Sequence, residues 1–373
     1  MRISILDGFR AIAIISVMLY HYFSRWIPPN NEFSLYPYND LYDHFNLGKL
    51  GVQFFFIISG FVIYFTLEKT EYFTSFWQKR LIRLLPSMIV ASFITLIFCI
   101  LFDKNKIFPG SHSISNFIPS FSFVNPSIFN EIFGTNLDYI SGSYWSLWPE
   151  IQFYFFVSLI FYINKKRFLV NFVIISIGLI MINYLIQHVQ GSNKLNIYIP
   201  EFILVSYDTW IFKGFNLISY LPFFSIGIAA YVLYENHETN IKTPFLLKIY
   251  IIFLFLFIIY SGIRIPVRIT YALMIILFIM FIFFPKRLSL LENSKLTSVG
   301  ESSYFLYLIH ENIGVIIIYN LGQYFLPNSF VLPVILIITL SYLSILFTKK
   351  VDKPINNMLK KGIQKSIGLK SLK

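Results

Sequence analysis

"LDGFRAIAIISVMLYHYF", residues 6–23, decides how the rest of the chain is read. Its length and apolar content are those of a helix crossing a ~30 Å hydrocarbon layer, yet it contains Arg10 and His21. At about 100° per residue, eleven steps bring these two side chains within roughly 20° of one stripe, separated by about 16 Å of rise. A charge inside a bilayer costs several kcal/mol unless it faces a partner or water. Two such groups on one stripe imply a polar track turned toward the inside of a helix bundle. Taken singly, each has a plainer reading: Arg10 snorkels to the headgroups, and His21 makes a helix–helix hydrogen bond.

The surrounding sequence supports the bundle. Of 373 residues, 56% are hydrophobic and 13% charged, against about 25% charge in soluble domains. Ten apolar runs are expected to span, at 5–25, 48–67, 81–102, 144–163, 167–187, 213–234, 245–263, 267–284, 301–321 and 329–348. The fold class is therefore all-α, a polytopic membrane helical bundle of about ten transmembrane helices. The division between the seventh and eighth spans rests on "SGIRIPVR", 261–268. An even number of spans puts both termini on one side. With the N-terminus inside, that side holds 21 Lys and Arg against 8 outside, so both termini are expected in the cytoplasm. The same bias accounts for the net charge of +12 without a nucleic-acid partner. No small-residue cleavage site follows the first span, which is expected to stay. No polar stretch is long enough for a soluble domain. The single cysteine, Cys99, lies in an apolar run, and no CxxC or HxxxH pair suggests a metal. Loops 26–47 and 103–143 are polar and aromatic, suited to capping an outward cavity or serving as connectors. The tail "KKVDKPINNMLKKGIQKSIGLKSLK", 349–373, is basic and partly amphipathic, as for a segment on an anionic inner leaflet.

Three more stretches place polar groups where a span wants apolar ones. In "SYWSLWPEIQFYFF", 143–156, Glu150 sits about two turns deep, at a depth like that of His21. A carboxylate beside an imidazole orients it and raises its basicity; a structural ion pair or a helix break at Pro149 is the alternative. "GESSYFLYLIHENIG", 300–314, puts His310 near mid-depth with Tyr307 one turn earlier, as a site residue or a packing histidine. In "FWQKRLIRLLP", 76–86, Arg80 and Arg83 stand one turn apart at the inner surface. That pair suits a phosphate clamp and equally suits membrane anchoring.

In this order the stretches resemble the bacterial membrane acyltransferase-3 family of O-acyltransferases. The shared motifs are Leu6-Asp7-Gly8-x-Arg10 with His21 in the same span; Gly51, Val52, Phe55, Phe56, Ser59, Gly60 and Phe61; and Arg80, Arg83 and Pro86. They continue with Trp145, Ser146, Leu147, Glu150, Phe153 and Tyr154; Ser303, Tyr304, Tyr307, Leu308 and His310; and a terminal "VDKP" at 351–354. The chain departs from the pattern at Gln53, Pro149, Ile151 and Asp352.

The resemblance implies an acyltransferase-3-like transmembrane domain at 1–348, followed by a basic cytoplasmic tail at 349–373, too short for the soluble esterase-like domain that some relatives append. It also implies a multi-pass location in the bacterial inner membrane. The implied reaction moves an acyl group, usually acetyl, from cytoplasmic acyl-CoA to a hydroxyl of a surface polysaccharide such as lipopolysaccharide O-antigen or exopolysaccharide, with no metal. On that reading His21 is the general base or a transient acyl carrier, and Glu150 orients it. Arg10, Arg80 and Arg83 hold the CoA phosphates. Tyr144 and Trp145 stack on sugar rings at the outer face, and Ser59, Tyr307 and His310 support the site. The rival reading is a transporter or flippase for a polysaccharide intermediate, since intramembrane His, Glu and Arg also suit proton-coupled transport.

Overall fold

A computed structural model describes residues 3–25, 42–191, 200–207, 210, 214–326 and 329–367. Among the described residues ten apolar helices follow one another: α1 (Ser4–Phe23), α2 (Gly51–Glu68), α3 (Phe73–Phe102), α4 (Leu147–Ile163), α5 (Phe168–Gly191), α6 (Leu217–Glu238), α7 (Phe245–Ser261), α8 (Ile265–Phe283), α9 (Ser303–Leu321) and α10 (Val331–Phe347). Among the described residues nine helical segments are long and apolar enough to cross a membrane, and α7, of 17 residues, is a shorter apolar helix. The chain is a multi-pass helical membrane protein, with the ten expected runs all helical. The third begins at Phe73 rather than near 81, because no glycine or proline interrupts the chain before Pro86. Arg80 and Arg83 therefore lie inside a helix.

The helices divide into an inner and an outer set. In α6 and α9, 78% of the apolar window is buried inside the protein, against 22% for α5. α1 and α2 complete the inner set, and α2 packs most extensively on α6. α3, α7, α8 and α10 turn rows of large apolar side chains outward, such as Phe93, Ile97 and Leu101 on α3, as lipid-facing helices do.

The α2–α6 contact depends on missing side chains. A Cβ on Gly60 would lie 2.1 Å from the backbone oxygen of Phe224, and one on Gly227 would lie 2.1 Å from that of Ile57. Two helices approach this closely in lipid only through small residues. Gly60→Leu is expected to cost about 1–3 kcal/mol or more by overpacking, read as a lowered melting temperature in detergent. Gly178→Ala on α5 has nothing within 4 Å of the new Cβ. It should leave the melt unchanged or raise it, because alanine is the better helix former by about 1 kcal/mol.

The segment between α3 and α4 is a folded cap built from short helices at Pro109–His112, Phe117–Ser122 and Pro126–Phe133. Asp103 starts it by accepting the N–H groups of Ile107 (2.8 Å) and Phe108 (2.9 Å). Asn312 of α9 fastens it: its Nδ2 donates to Ser111 Oγ (2.6 Å), and its Oδ1 accepts from Ser141 Oγ (2.6 Å). Of the other loop read as a cap, 26–47, residues 26–41 lie outside the described residues.

After α10 the chain makes one π turn, Thr348–Asp352, and continues as α11 (Lys353–Ile367). The "VDKP" segment makes this corner. Asp352 accepts from Ser87 Oγ on α3 (2.7 Å) and from Asn356 Nδ2 (3.1 Å), and Lys353 pairs with Glu301 (2.6 Å). The tail helix is thus pinned beside the first turns of α3.

Candidate functional site

The three arginines flagged by spacing meet in one cavity. Arg10 from α1 and Arg80 and Arg83 from α3 line it together with Ser59, Glu150, Tyr154 and Tyr307, and ≈ 80 Å³ at its centre is open to water. Arg10 Nη1 donates to Asp7 one turn earlier (2.7 Å). Arg80 is 6% exposed. Its Nη2 donates to Thr66 Oγ1 (2.6 Å), while its Nε is buried without a hydrogen-bond partner. Glu150 accepts from Ser59 Oγ (2.8 Å) and from the Tyr154 hydroxyl. A buried guanidinium with an orphaned donor is costly unless something supplies charge and acceptors. Three guanidiniums against the one carboxylate of Glu150 leave the cavity with an excess of positive charge, which favours an anion. Much of its remaining wall is apolar, with Val52, Phe55 and Ile58, beside Ser146, Ser303 and Tyr304.

His21 belongs to a second cluster. Its Nδ1 lies 3.2 Å from Glu311 Oε1, and its ring centroid is 5.0 Å from that of His310. His310 turns Nδ1 to the Tyr307 carbonyl (2.8 Å), and its Nε2 is buried without a partner. The cap closes over this group. A Cβ on Gly142 would come within 3.5 Å of Glu311 Oε2, and Asn312, the next residue after Glu311, ties the cap down.

The expected partnership of His21 with Glu150 is corrected here. α1 packs on α9 rather than on α4, so α9 supplies the carboxylate, Glu311, and Glu150 faces Ser59 and Tyr154 in the arginine cavity. Turn counting gave the two a similar expected depth but could not say which helices face each other. Glu311 was passed over, although a carboxylate inside the apolar run "YLIHENIG" is the same signal that flagged Glu150.

His21 does not line the arginine cavity. Tyr307 stands between the two centres: it lines the cavity, its hydroxyl meets Ser146 Oγ (2.8 Å) and donates to Ser143 O (2.9 Å), and its ring lies 5.4 Å from that of His310. Tyr144, expected to stack on a sugar, is fully buried with its hydroxyl 3.4 Å from Ser92 Oγ. It packs the core under the cap and cannot meet a ring from outside. Trp145 is part-buried with its ring 5.5 Å from that of Tyr220.

Comparison with known proteins adds the family. The family model described as an acyltransferase domain matches residues 3–348. A Staphylococcus aureus (strain COL) protein, provisionally named an O-acetyltransferase, is 31% identical over 204 residues, covering 49% of this chain and 30% of that relative. The O-acetyltransferase OatA of Staphylococcus aureus (strain NCTC 8325 / PS 47) is 26% identical over 209 residues, covering 51% of this chain and 30% of its own. The matched stretch thus spans under a third of each relative. No solved structure matches the chain.

Proposed function

The chain belongs to the acyltransferase-3 family, and from that premise we propose that it is a membrane O-acyltransferase. It moves an acyl group, acetyl first, from cytoplasmic acyl-CoA to a hydroxyl of a surface polysaccharide. The observation that carries the reading is the convergence of Arg10, Arg80 and Arg83 on one cavity, with the His21–Glu311–His310 cluster one residue layer beyond it.

The first centre binds the donor. Guanidiniums suit phosphates because their donors form a rigid fork, and the orphaned Arg80 Nε is a donor awaiting an oxygen. The apolar wall suits the uncharged pantetheine arm. The 21-to-8 bias in Lys and Arg supports a cytoplasmic setting for this end, where acyl-CoA is made.

The second centre does the chemistry. With the Glu311 carboxylate 3.2 Å from its Nδ1, His21 uses Nε2 to take the proton of the acceptor hydroxyl. The oxygen so released bonds to the thioester carbonyl carbon, the C–S bond breaks, and the proton passes from His21 to the departing sulfur. The products are the O-ester and free CoA. To reach His21 the acyl end must pass Tyr307, whose hydroxyl is held by Ser143 and Ser146.

Mixing the purified protein with acetyl-CoA and an oligosaccharide acceptor tests the reading. Release of free CoA with O-acetyl product is expected, and an acceptor left unmodified contradicts it. The two carboxylates separate by role. Glu311→Gln should lower turnover by about 10–100-fold, the value of one hydrogen bond to a charged group, with donor affinity unchanged. Glu150→Gln should act on donor affinity instead. Equal effects of the two on turnover alone would refute the division.

A further inference from the structure

We propose that the tail helix α11 is part of the donor site, with Lys79 and Lys360 holding the 3′-phosphate at the nucleotide end of CoA. This rests on the donor reading above and extends it. A second cavity of ≈ 360 Å³ opens between the first turns of α3 and α11, lined by Lys79, Arg80, Arg83, Asn356 and Lys360 among others. Arg80 and Arg83 line the inner cavity as well, so the two hollows share the arginine pair as a common wall.

The order of groups along CoA matches the order along these hollows. The molecule runs from a 3′-phosphorylated nucleoside through a diphosphate to the uncharged pantetheine arm and the thioester. The protein runs from Lys79 and Lys360, through Arg80 and Arg83, to the apolar wall around Val52 and Phe55. A diphosphate at the shared arginines puts the pantetheine arm inward and leaves the 3′-phosphate in the outer cleft, the one Lys79 and Lys360 line.

The cleft keeps an excess of positive charge even with Asp352 near Arg83 and Glu150 near Arg80. Four cationic side chains line it and no carboxylate does. Lys79 lies within electrostatic reach of both Arg80 and Lys360. The nearest acid on α11's approach, Asp352, has its oxygens engaged by Ser87 and Asn356. Like charges held together by the fold repel until an anion joins them. The corner at 348–352 keeps them together, because Asp352 and Lys353 fix α11 against α3 and the helix Ser294–Glu301.

The test uses the full chain in nanodiscs of zwitterionic phosphatidylcholine, with CoA and 3′-dephospho-CoA as the two probes. The wild type should bind CoA more tightly than dephospho-CoA. Lys360→Ala should reduce that preference by about tenfold, the value of one charge-assisted contact, through weaker CoA binding alone. Lys79→Ala should do the same. Lys361→Ala, the exposed neighbour outside the cleft, should leave the preference intact. Equal losses for both probes in Lys360→Ala, or no loss for either, overturn the proposal while the donor reading stands. A wild type that binds neither probe overturns both. In parallel nanodiscs doped with phosphatidylglycerol, an unchanged CoA preference of Lys360→Ala together with loss of the melting-temperature rise that this lipid gives the wild type would assign the cleft to lipid headgroups and overturn it.

Discussion

His21→Ala is expected to abolish acyl transfer while the protein still inserts and binds CoA. The expected loss in turnover is about 10²–10⁴-fold, the contribution of a positioned general base. The structure limits the collateral damage. His21 sits at the end of α1 against Glu311 and His310 and is not among the residues lining the arginine cavity, so donor binding should not change. His21→Gln keeps the volume and loses the proton acceptor, and should be as inactive. The measurement is the rate of free CoA release in the presence of acceptor, with donor affinity read separately. A drop of less than tenfold would mean that another group takes the proton. His310 is the first to suspect, because its buried Nε2 has no partner.

Replacing Arg80 and Arg83 together by alanine removes the donor site. Each charge-assisted contact is worth about 1.5–3 kcal/mol, so CoA affinity should fall by roughly 10²–10⁴-fold. The sum will come short of additive if both guanidiniums grip the same phosphate. Stability should move the other way or stay level. Removing the guanidiniums also removes their desolvation cost, which offsets the lost attraction to Glu150 and Asp352. That difference separates the two readings of the pair: anchors would lower insertion and melting temperature, whereas a clamp lowers affinity alone. Arg80→Lys keeps the charge without the fork and should fall between wild type and the double variant.

Much of this was legible in the sequence. Apolar runs of fixed length gave the ten helices because lipid leaves the backbone no alternative. Arg10, Arg80 and Arg83 stood out because a guanidinium in such a run needs a reason, and the cavity supplies one reason for all three. What failed was direction around the helix axis. Counting turns gave Glu150 and His21 a similar depth, but Glu150 lines the cavity with Arg10, α1 packs on α9, and Glu311 meets the imidazole. Tyr144 looked like a sugar platform because an aromatic near an outer loop can stack. Its burial follows from the cap, whose fold depends on Asp103, Asn312 and Ser111 across long sequence separations. The tail read as a surface strip, and the π turn that pins it to α3 has no local signature beyond a Pro two residues on.

The central claim is that one end of the bundle receives the donor and His21, toward the other, serves the acceptor. The direct measurement uses proteoliposomes with a defined protein orientation, isotope-labelled acetyl-CoA on the side of Arg80 and α11, and an oligosaccharide acceptor on the opposite side. The account predicts labelled O-acetyl ester on that acceptor and unlabelled CoA left on the donor side, with neither formed by His21→Ala. Label that appears only when donor and acceptor share one compartment would contradict it.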